Sequence, residues 1–323
     1  MDKISYITSQ RIVTTTRREV QILQLLATQA HPHIVLFLGV FETPQHVQIV
    51  TEYLAGGTLY DRIVECNCLA EHEASAVFYR LLSTLDFMHS VGIVHRDFKP
   101  DNILLVNKTN NIDVKIIDFG VSNLVDAEGK CFSCCGTPLY MAPELFADNC
   151  CYGTKADVWA CGVIYFIMLS GVVPFWGDTR EGLIELISDC DAYLEFFEED
   201  FEDVSEDAKD LIRRILVADP VRRPSSAEVL RSDPLMENIK RTDMLAAASE
   251  DRPWVPLDSR RWPANVLAKF VASNPSTVEE LHRCCLSPGV SPVNTPFSSA
   301  DQELADGPDL EPKPDLEPEP EPD

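Results

Sequence analysis

The stretch HRDFKPDN, His95 to Asn102, gathers a base, two cations, two carboxylates and an amide within eight residues. A strongly periodic segment precedes it. Phe78, Leu81, Leu82, Leu85 and Met88 recur every three or four positions, which predicts a helix over 71–90 with one buried face. Two short β runs follow, NILLV and DVKIIDF, each punctuated by Asx or other polar residues. Further upstream, Val20, Ile22, Leu23, Leu25 and Leu26 form an apolar stripe that predicts a helix over 14–27. HIVLFLGVF and VQIVTEYL read as strands and lead into the turn AGG at Ala55–Gly57. From Ala142 to near Leu235 the pattern is helical. Strands early and helices late predict an α+β fold with segregated lobes.

The bulk composition narrows the partners. The 323 residues carry a formal charge of −25, and 12 acidic against 2 basic residues lie from Ser273 onward. Nucleic acid and anionic lipid would both repel such a chain. Eleven cysteines and no charged-then-apolar leader predict a reducing compartment, cytoplasm or nucleus, with mostly free thiols. The cluster CFSCC (Cys131, Cys134, Cys135) and the pair Cys150–Cys151 lack a second CxxC or His pair to complete a tetrahedral zinc set. The uncharged run from Val158 to Trp176 is long enough to cross a bilayer. Gly162, Gly171 and Pro174 interrupt it, so it reads instead as the buried centre of a soluble domain.

Phosphoryl transfer to a hydroxyl asks for a base to orient the hydroxyl, divalent ions to offset phosphate charge, and a cation near the group in flight. HRDFKPDN offers the first and last of these, and Asn102 as a metal ligand. Sixteen residues beyond Asn102 stands DFG, Asp118 to Gly120, a hard carboxylate at the end of an apolar run. GTPLYMAPE follows at Gly136–Glu144, then ADVWACGV from Ala156. Four such elements in this order resemble the eukaryotic protein kinases. Lys99, two after the aspartate, resembles the serine/threonine-directed branch. GTPLYMAPE, VPFWGD and DLIRRILVADPVRRPSSAEVL are most similar to the calcium/calmodulin-dependent kinase group. The resemblance covers about Met1 to Leu235.

It implies a two-lobed kinase-like fold, ATP and Mg²⁺ as cofactors, and a protein substrate bearing a serine or threonine hydroxyl. On matching positions, Asp97 would accept the hydroxyl proton, Lys99 steady the γ-phosphate, and Thr137 support Asp97 and line the substrate groove. Asn102 and Asp118 would hold Mg²⁺. Thr51 falls at the gatekeeper position, the backbone of Glu52 to Leu54 would meet adenine, and Leu104 would floor its pocket. Glu144 and Arg223 match a buried ion pair, and Asp157 is a structural carboxylate of ADVWACGV. Arg96 implies control by a phosphate on the activation segment, supplied by an upstream kinase. Ser133, three before Gly136, is the expected site.

Two departures stand out. No glycine precedes Gly39, so the glycine-rich loop over the ATP phosphates is absent from this sequence. Glu19 matches the helix glutamate that pairs with a strand lysine, yet Lys3 is the sole lysine before Lys99. MDK also looks like the end of the phrase that follows that lysine in relatives, which would place the true lysine upstream of Met1. Either way an incomplete β lobe and weak ATP binding are expected. Relatives also commonly carry glutamate after the GG of AGGTLYDRI; here the position is Thr58, so a preference for upstream arginine in substrates is not implied.

The expected organisation is therefore a partial small lobe over 1–52, a complete, mainly helical large lobe over 53–236, a linker or regulatory segment over 237–296, and an acidic, proline-rich disordered tail over 297–323. Within the linker, Ser259–Asn274 places Trp262, Val266, Leu267, Phe270 and Val271 on one helical face. It is open to two readings: a calmodulin-type or autoinhibitory helix, or a packed helix or plain linker. Ser287, Ser291 and Thr295 precede prolines and are sites other kinases could use. The rival to a catalytic reading is a kinase-like binding module without activity.

Overall fold

The helix that organises the chain is KADVWACGVIYFIMLS, Lys155–Ser170, in which every residue from Ala156 to Leu169 is buried. A helix apolar on all sides has no solvent face and becomes the centre of its domain. In the computed structural model, which describes residues 10–28, 31–42, 47–147 and 150–249, it is the fourth α-helix. The elements run α1 (Gln10–Ala27), β1 (Phe37–Glu42), β2 (Val47–Thr51), α2 (Leu59–Cys66), α3 (Glu71–Ser90), β3 (Ile93–Val94), β4 (Ile103–Leu105), β5 (Val114–Ile116), β6 (Asn123–Leu124) and α4. They continue as α5 (Arg180–Ser188), α6 (Cys190–Tyr193), α7 (Glu198–Phe201), α8 (Glu206–Ile215), α9 (Ser226–Ser232) and α10 (Pro234–Ser249). Three short 3₁₀ turns intervene, at Pro100–Asn102, Pro138–Tyr140 and Pro143–Phe146.

α3 lies along α4 and buries the predicted stripe, Phe78, Leu81, Leu82, Leu85 and Met88, with no exposure. Phe78 stacks on Tyr165 of α4 at 4.3 Å between ring centroids. α9 and α10 close over α3, and α8 packs on α4. The last contact requires Gly162: a Cβ there would lie 2.5 Å from Ile215 Cγ2 and 3.1 Å from Leu216 Cδ2. The surrounding helices start on side-chain caps. Ser205 caps α8, and Ser225 with Glu228 forms a reciprocal capping box on α9. Thr58 does the same for α2 with Asp61.

At the front, α1 buries Ile22, Leu23, Leu25 and Leu26. It packs on β1, which pairs antiparallel with β2 across a bulge between Phe37 and Gly39. This is the small lobe, and among the described residues its sheet is two strands wide. Leu38 and Phe41 are about 60% exposed, so one apolar side of that sheet faces solvent. Two further two-stranded sheets, β3–β6 and β4–β5, sit between the small lobe and the helical body.

The architecture is α+β with few strands and a helical large lobe, as the order of patterns implied. α10 runs across the boundary expected at Met236, because Pro234 opens a helix there rather than ending one. No described helix is long and apolar enough to cross a membrane. Nine described cysteines divide into seven free thiols and one bonded pair, Cys134–Cys150, a pairing that the spacing did not indicate. Lys3, the 259–274 helix candidate, Ser287, Ser291, Thr295 and the tail lie outside the described residues.

Adding one methyl group at the α4–α8 crossing should overpack it. Gly162→Ala is expected to lower stability by about 1–3 kcal/mol in urea unfolding. An unchanged midpoint would show that the two helices can part at no cost.

Candidate active site

HRDFKPDN forms the loop between β3 and β4, and the carboxylate that holds it comes from α4. Asp157 is 1% exposed and accepts hydrogen bonds from the backbone N–H of His95 at 2.8 Å and of Arg96 at 2.9 Å. His89 Nε2 lies 3.0 Å from the same carboxylate. Burial opposes ionisation of Asp157, but the His89 hydrogen bond and the nearby donors win and hold its pKa below the usual carboxylate value. Arg96 adopts φ +73°, a left-handed conformation that a non-glycine residue keeps only when its surroundings fix it.

The turn so held presents Asp97 outward. Asp97 Oδ1 accepts from the Thr137 N–H at 3.1 Å and from Thr137 Oγ1 at 2.8 Å. Its Oδ2 accepts from Asn102 Nδ2 and pairs with Lys99 Nζ, each at 3.1 Å. Lys99 Nζ also donates to Thr137 Oγ1 at 2.9 Å. Burial opposes ionisation here too, and the hydrogen bonds from Thr137 and Lys99 outweigh it, so the Asp97 carboxyl is held below its ordinary pKa. Thr137 reaches the loop because Gly136, at φ +123°, lets its chain pass where a Cβ would stand 2.6 Å from the Arg96 carbonyl.

Asn102 spends its amide N–H groups on the Asp97 carbonyl and carboxylate, at 2.9 and 3.1 Å, which leaves its side-chain oxygen as a ligand. Asp118 follows β5 at φ +59°, and its Oδ1 accepts from the Gly120 N–H at 3.0 Å. The neighbouring Phe119 ring meets the buried His95 ring edge-on at 5.3 Å between centroids. An amide oxygen and a carboxylate are hard donors of the kind Mg²⁺ prefers, so the residues present fit that ion.

A cleft of about 330 Å³ opens between the lobes, lined by Glu19, Thr51, Glu52, Leu54, Leu104 and Asp118 among others. All five residues expected to line a nucleotide pocket meet there. Leu23, Val35, Ile49, Ile117 and Phe119 also line the walls, and the sequence did not mark them as pocket residues. Ile49 had a signal: it shares the period-two face of β2 with Thr51. Glu52 is tied back, its N–H bonded to the Leu36 carbonyl at 2.9 Å and its carboxylate paired with Lys115. Glu19 has no cation within ion-pair reach among the described residues. Burial, and then the Asp118 charge, push its pKa up.

The Arg96 side chain points away from the cleft, toward the segment after DFG. Its Nη1 donates to Ser133 Oγ at 2.5 Å and to Tyr152 OH at 3.2 Å. Tyr152 OH in turn donates to the Ser133 carbonyl at 2.7 Å. Tyr152 carried no motif and escaped the sequence reading. Farther down, Glu144 and Arg223 form a two-pronged pair, 2.7 Å from Nη1 and 2.8 Å from Nη2. Arg223 has no exposure, and its remaining N–H groups donate to the carbonyls of Lys155, Val217 and Ala218.

The protein kinase domain family matches residues 3–235. Calcium-dependent protein kinase 6 of Arabidopsis thaliana is 40% identical over 231 residues, 71% of this chain and 41% of the relative. Calcium-dependent protein kinase 5 of Oryza sativa subsp. japonica is 41% identical over 219 residues, 68% and 39% of the two chains. Calcium-dependent protein kinase 4 of Solanum tuberosum is 39% identical over 231 residues, 71% and 40%. The chain thus spans about two fifths of the length of the curated relatives it matches. With the motifs, the two-lobed architecture and these matches together, the chain belongs to the protein kinase domain family, in its serine/threonine, calcium/calmodulin-dependent-like branch.

Proposed function

We propose that this chain carries the catalytic centre of an ATP- and Mg²⁺-dependent serine/threonine protein kinase, with Asp97 orienting the substrate hydroxyl and taking its proton. The observation that supports it most is the saturated hydrogen bonding of Asp97, which keeps the carboxylate ionised and fixed in direction. Lys99 supplies the mobile contact. It shares Oδ2 of Asp97 with Asn102, and on meeting a phosphate it can turn to that anion and vacate Oδ2 for the incoming hydroxyl. Thr137 holds Oδ1 meanwhile, so the base does not swing. Mg²⁺ held by Asn102 and Asp118 would offset the phosphate charge. Thr51, Leu104 and the backbone of 52–54 would receive the adenine.

Ser133 is the proposed regulatory hydroxyl. Its Oγ already touches Arg96, and a phosphate there would exchange one neutral contact for charge-assisted ones. An upstream kinase would supply it, and a protein with a serine or threonine hydroxyl would be the substrate. Calmodulin remains a candidate partner only through the 259–274 segment.

A second reading, a kinase-like binding module without activity, is favoured by one feature: Glu19 faces Asp118 with no described cation between them. This chain should therefore hold Mg-ATP about ten- to a hundredfold more weakly than a version extended upstream to supply a glycine-rich loop and a strand lysine. Calorimetric titration of both decides it, and equal affinities would overturn the idea. In the extended version, Asp97→Asn should cut phosphoryl transfer by about 10²–10⁴ with ATP affinity unchanged. Loss of affinity instead would make Asp97 a nucleotide ligand rather than the base.

The Glu19 carboxyl gives a pH signature. Its pKa is raised in the folded chain, so folding takes up a proton and stability falls as pH rises from the unfolded value of 4.5 through the raised one. Glu19→Gln should then stabilise the protein at neutral pH and have no effect well below 4.5. Destabilisation at neutral pH in thermal unfolding would reveal a cation paired with Glu19 after all. Finally, phosphorylated Ser133 should protect 131–137 from proteolysis in the parent chain and lose that protection in Arg96→Ala. Protection independent of Arg96 would exclude the pairing.

A further inference from the structure

We propose that Cys134 and Cys150 form a thiol–disulfide modification site that fastens the segment bearing Ser133 to the body of the large lobe. Two chain stretches are brought together for it. Cys131 and Tyr152 exchange backbone hydrogen bonds, 2.7 Å from the Cys131 N–H and 3.1 Å back, as an antiparallel bridge. That bridge draws 131–134 alongside 150–152 and sets Cys134 and Cys150 with Cα atoms 6.2 Å apart, within ordinary disulfide reach. The two sulfurs are bonded in this structure. Cys135 and Cys151, their immediate neighbours, remain free thiols. The pairing is therefore selected by geometry within a cluster of five cysteines.

The two partners differ in access. Cys134 is exposed and Cys150 is 7% exposed. With hydrogen peroxide as oxidant, the Cys134 thiolate attacks one peroxide oxygen, the O–O bond breaks, and hydroxide leaves. The Cys150 sulfur then attacks the Cys134 sulfenic sulfur and displaces its hydroxyl, giving the S–S bond and water. Two thiols and one peroxide yield one disulfide and two waters. A dithiol such as dithiothreitol reverses it by exchange and becomes the cyclic disulfide itself.

The consequence falls on Ser133, next in sequence to Cys134. With the bond in place, Ser133 is confined where Arg96 and Tyr152 hold it. Ser133 abuts the ring that the bond closes between positions 134 and 150, so its following residues cannot extend into another enzyme's cleft, and the oxidised chain is the poor phosphate acceptor at Ser133 and the reduced chain the good one. That last step rests on the kinase reading of the segment; the bond and the fastening do not.

The test uses the full chain, equilibrated with hydrogen peroxide or with dithiothreitol, alkylated and digested under acid conditions. Trypsin has no site between Lys130 and Lys155, and a glutamyl endoproteinase then cuts after Glu144, so the five cysteines fall on two peptides, 131–144 and 145–155. The peptides are expected to travel joined after peroxide and separately after dithiothreitol. The link should persist in Cys135→Ser and Cys151→Ser and vanish in Cys134→Ser and Cys150→Ser. Amide hydrogen exchange over 135–142, inside the ring, should be roughly a hundredfold slower in the oxidised parent chain, the loop-closure effect of a ring this size. Separate peptides after peroxide, or a link that survives Cys134→Ser, would overturn the site. Equal exchange in both redox states would overturn the fastening. Neither readout involves ATP, so a failed phosphotransfer reading leaves both outcomes standing.

Discussion

One buried carboxylate sets the geometry on which everything else rests. A carboxylate taken out of water is costly unless donors surround it, and Asp157 is surrounded by two backbone N–H groups and a histidine ring. Those donors belong to the HRDFKPDN loop and to α3, while the carboxylate belongs to α4. Satisfying the charge therefore fixes the loop to the most deeply buried helix of the domain. It also forces the left-handed turn at Arg96, and that turn sorts the side chains. Arg96 goes back toward Ser133, and Asp97 goes out toward Thr137 and Lys99. A strained residue between two functional ones is what a rigid anchor permits.

The two sides of the cleft are built to different standards. On the large-lobe side every functional group stands on α4 or on loops tied to it, and Glu144–Arg223 binds the end of the segment to the same body. On the small-lobe side the wall formed by Val35, Ile49 and Thr51 rests on a two-stranded sheet with Leu38 and Phe41 turned to solvent. A pair of strands gains little independent stability. On the proposed function, the side that would orient the hydroxyl is firm, and the side that would grip the nucleotide is thin among the described residues. Chemistry and binding would then be separable properties of this chain.

The legible parts of the fold were those written locally. The helix over 71–90 was read end to end from its stripe, because one buried face repeats every turn whatever it packs against. Asp97, Lys99, Asn102, Asp118 and Thr137 were read from order along the chain, and the structure gathers them around one loop. Contacts made across sequence were not legible. His89 and Tyr152 carry no motif, and their partners lie 68 residues and 19 residues away. Cys134 and Cys150 meet only because a backbone bridge at Cys131–Tyr152 aligns their strands, which no spacing rule encodes.

Electrostatics ties the firm side to the thin one. Around the reacting centre, Asp97, Asp118 and Glu19 face one ammonium, Lys99, and Glu52 is already offset by Lys115. Among the described residues this leaves an excess of negative charge where a triphosphate would have to sit. Two like charges in a partly buried cleft repel one another, and the pKa of Glu19 is raised first by its burial and then by the charge of Asp118. A bare nucleotide would add to it. On the proposed function, Asn102 and Asp118 would hold a divalent cation whose charge would offset that excess beside the phosphates. On that reading the site would admit a metal–nucleotide complex and resist the free anion. That selectivity comes from the same acids that leave the cleft short of a cation.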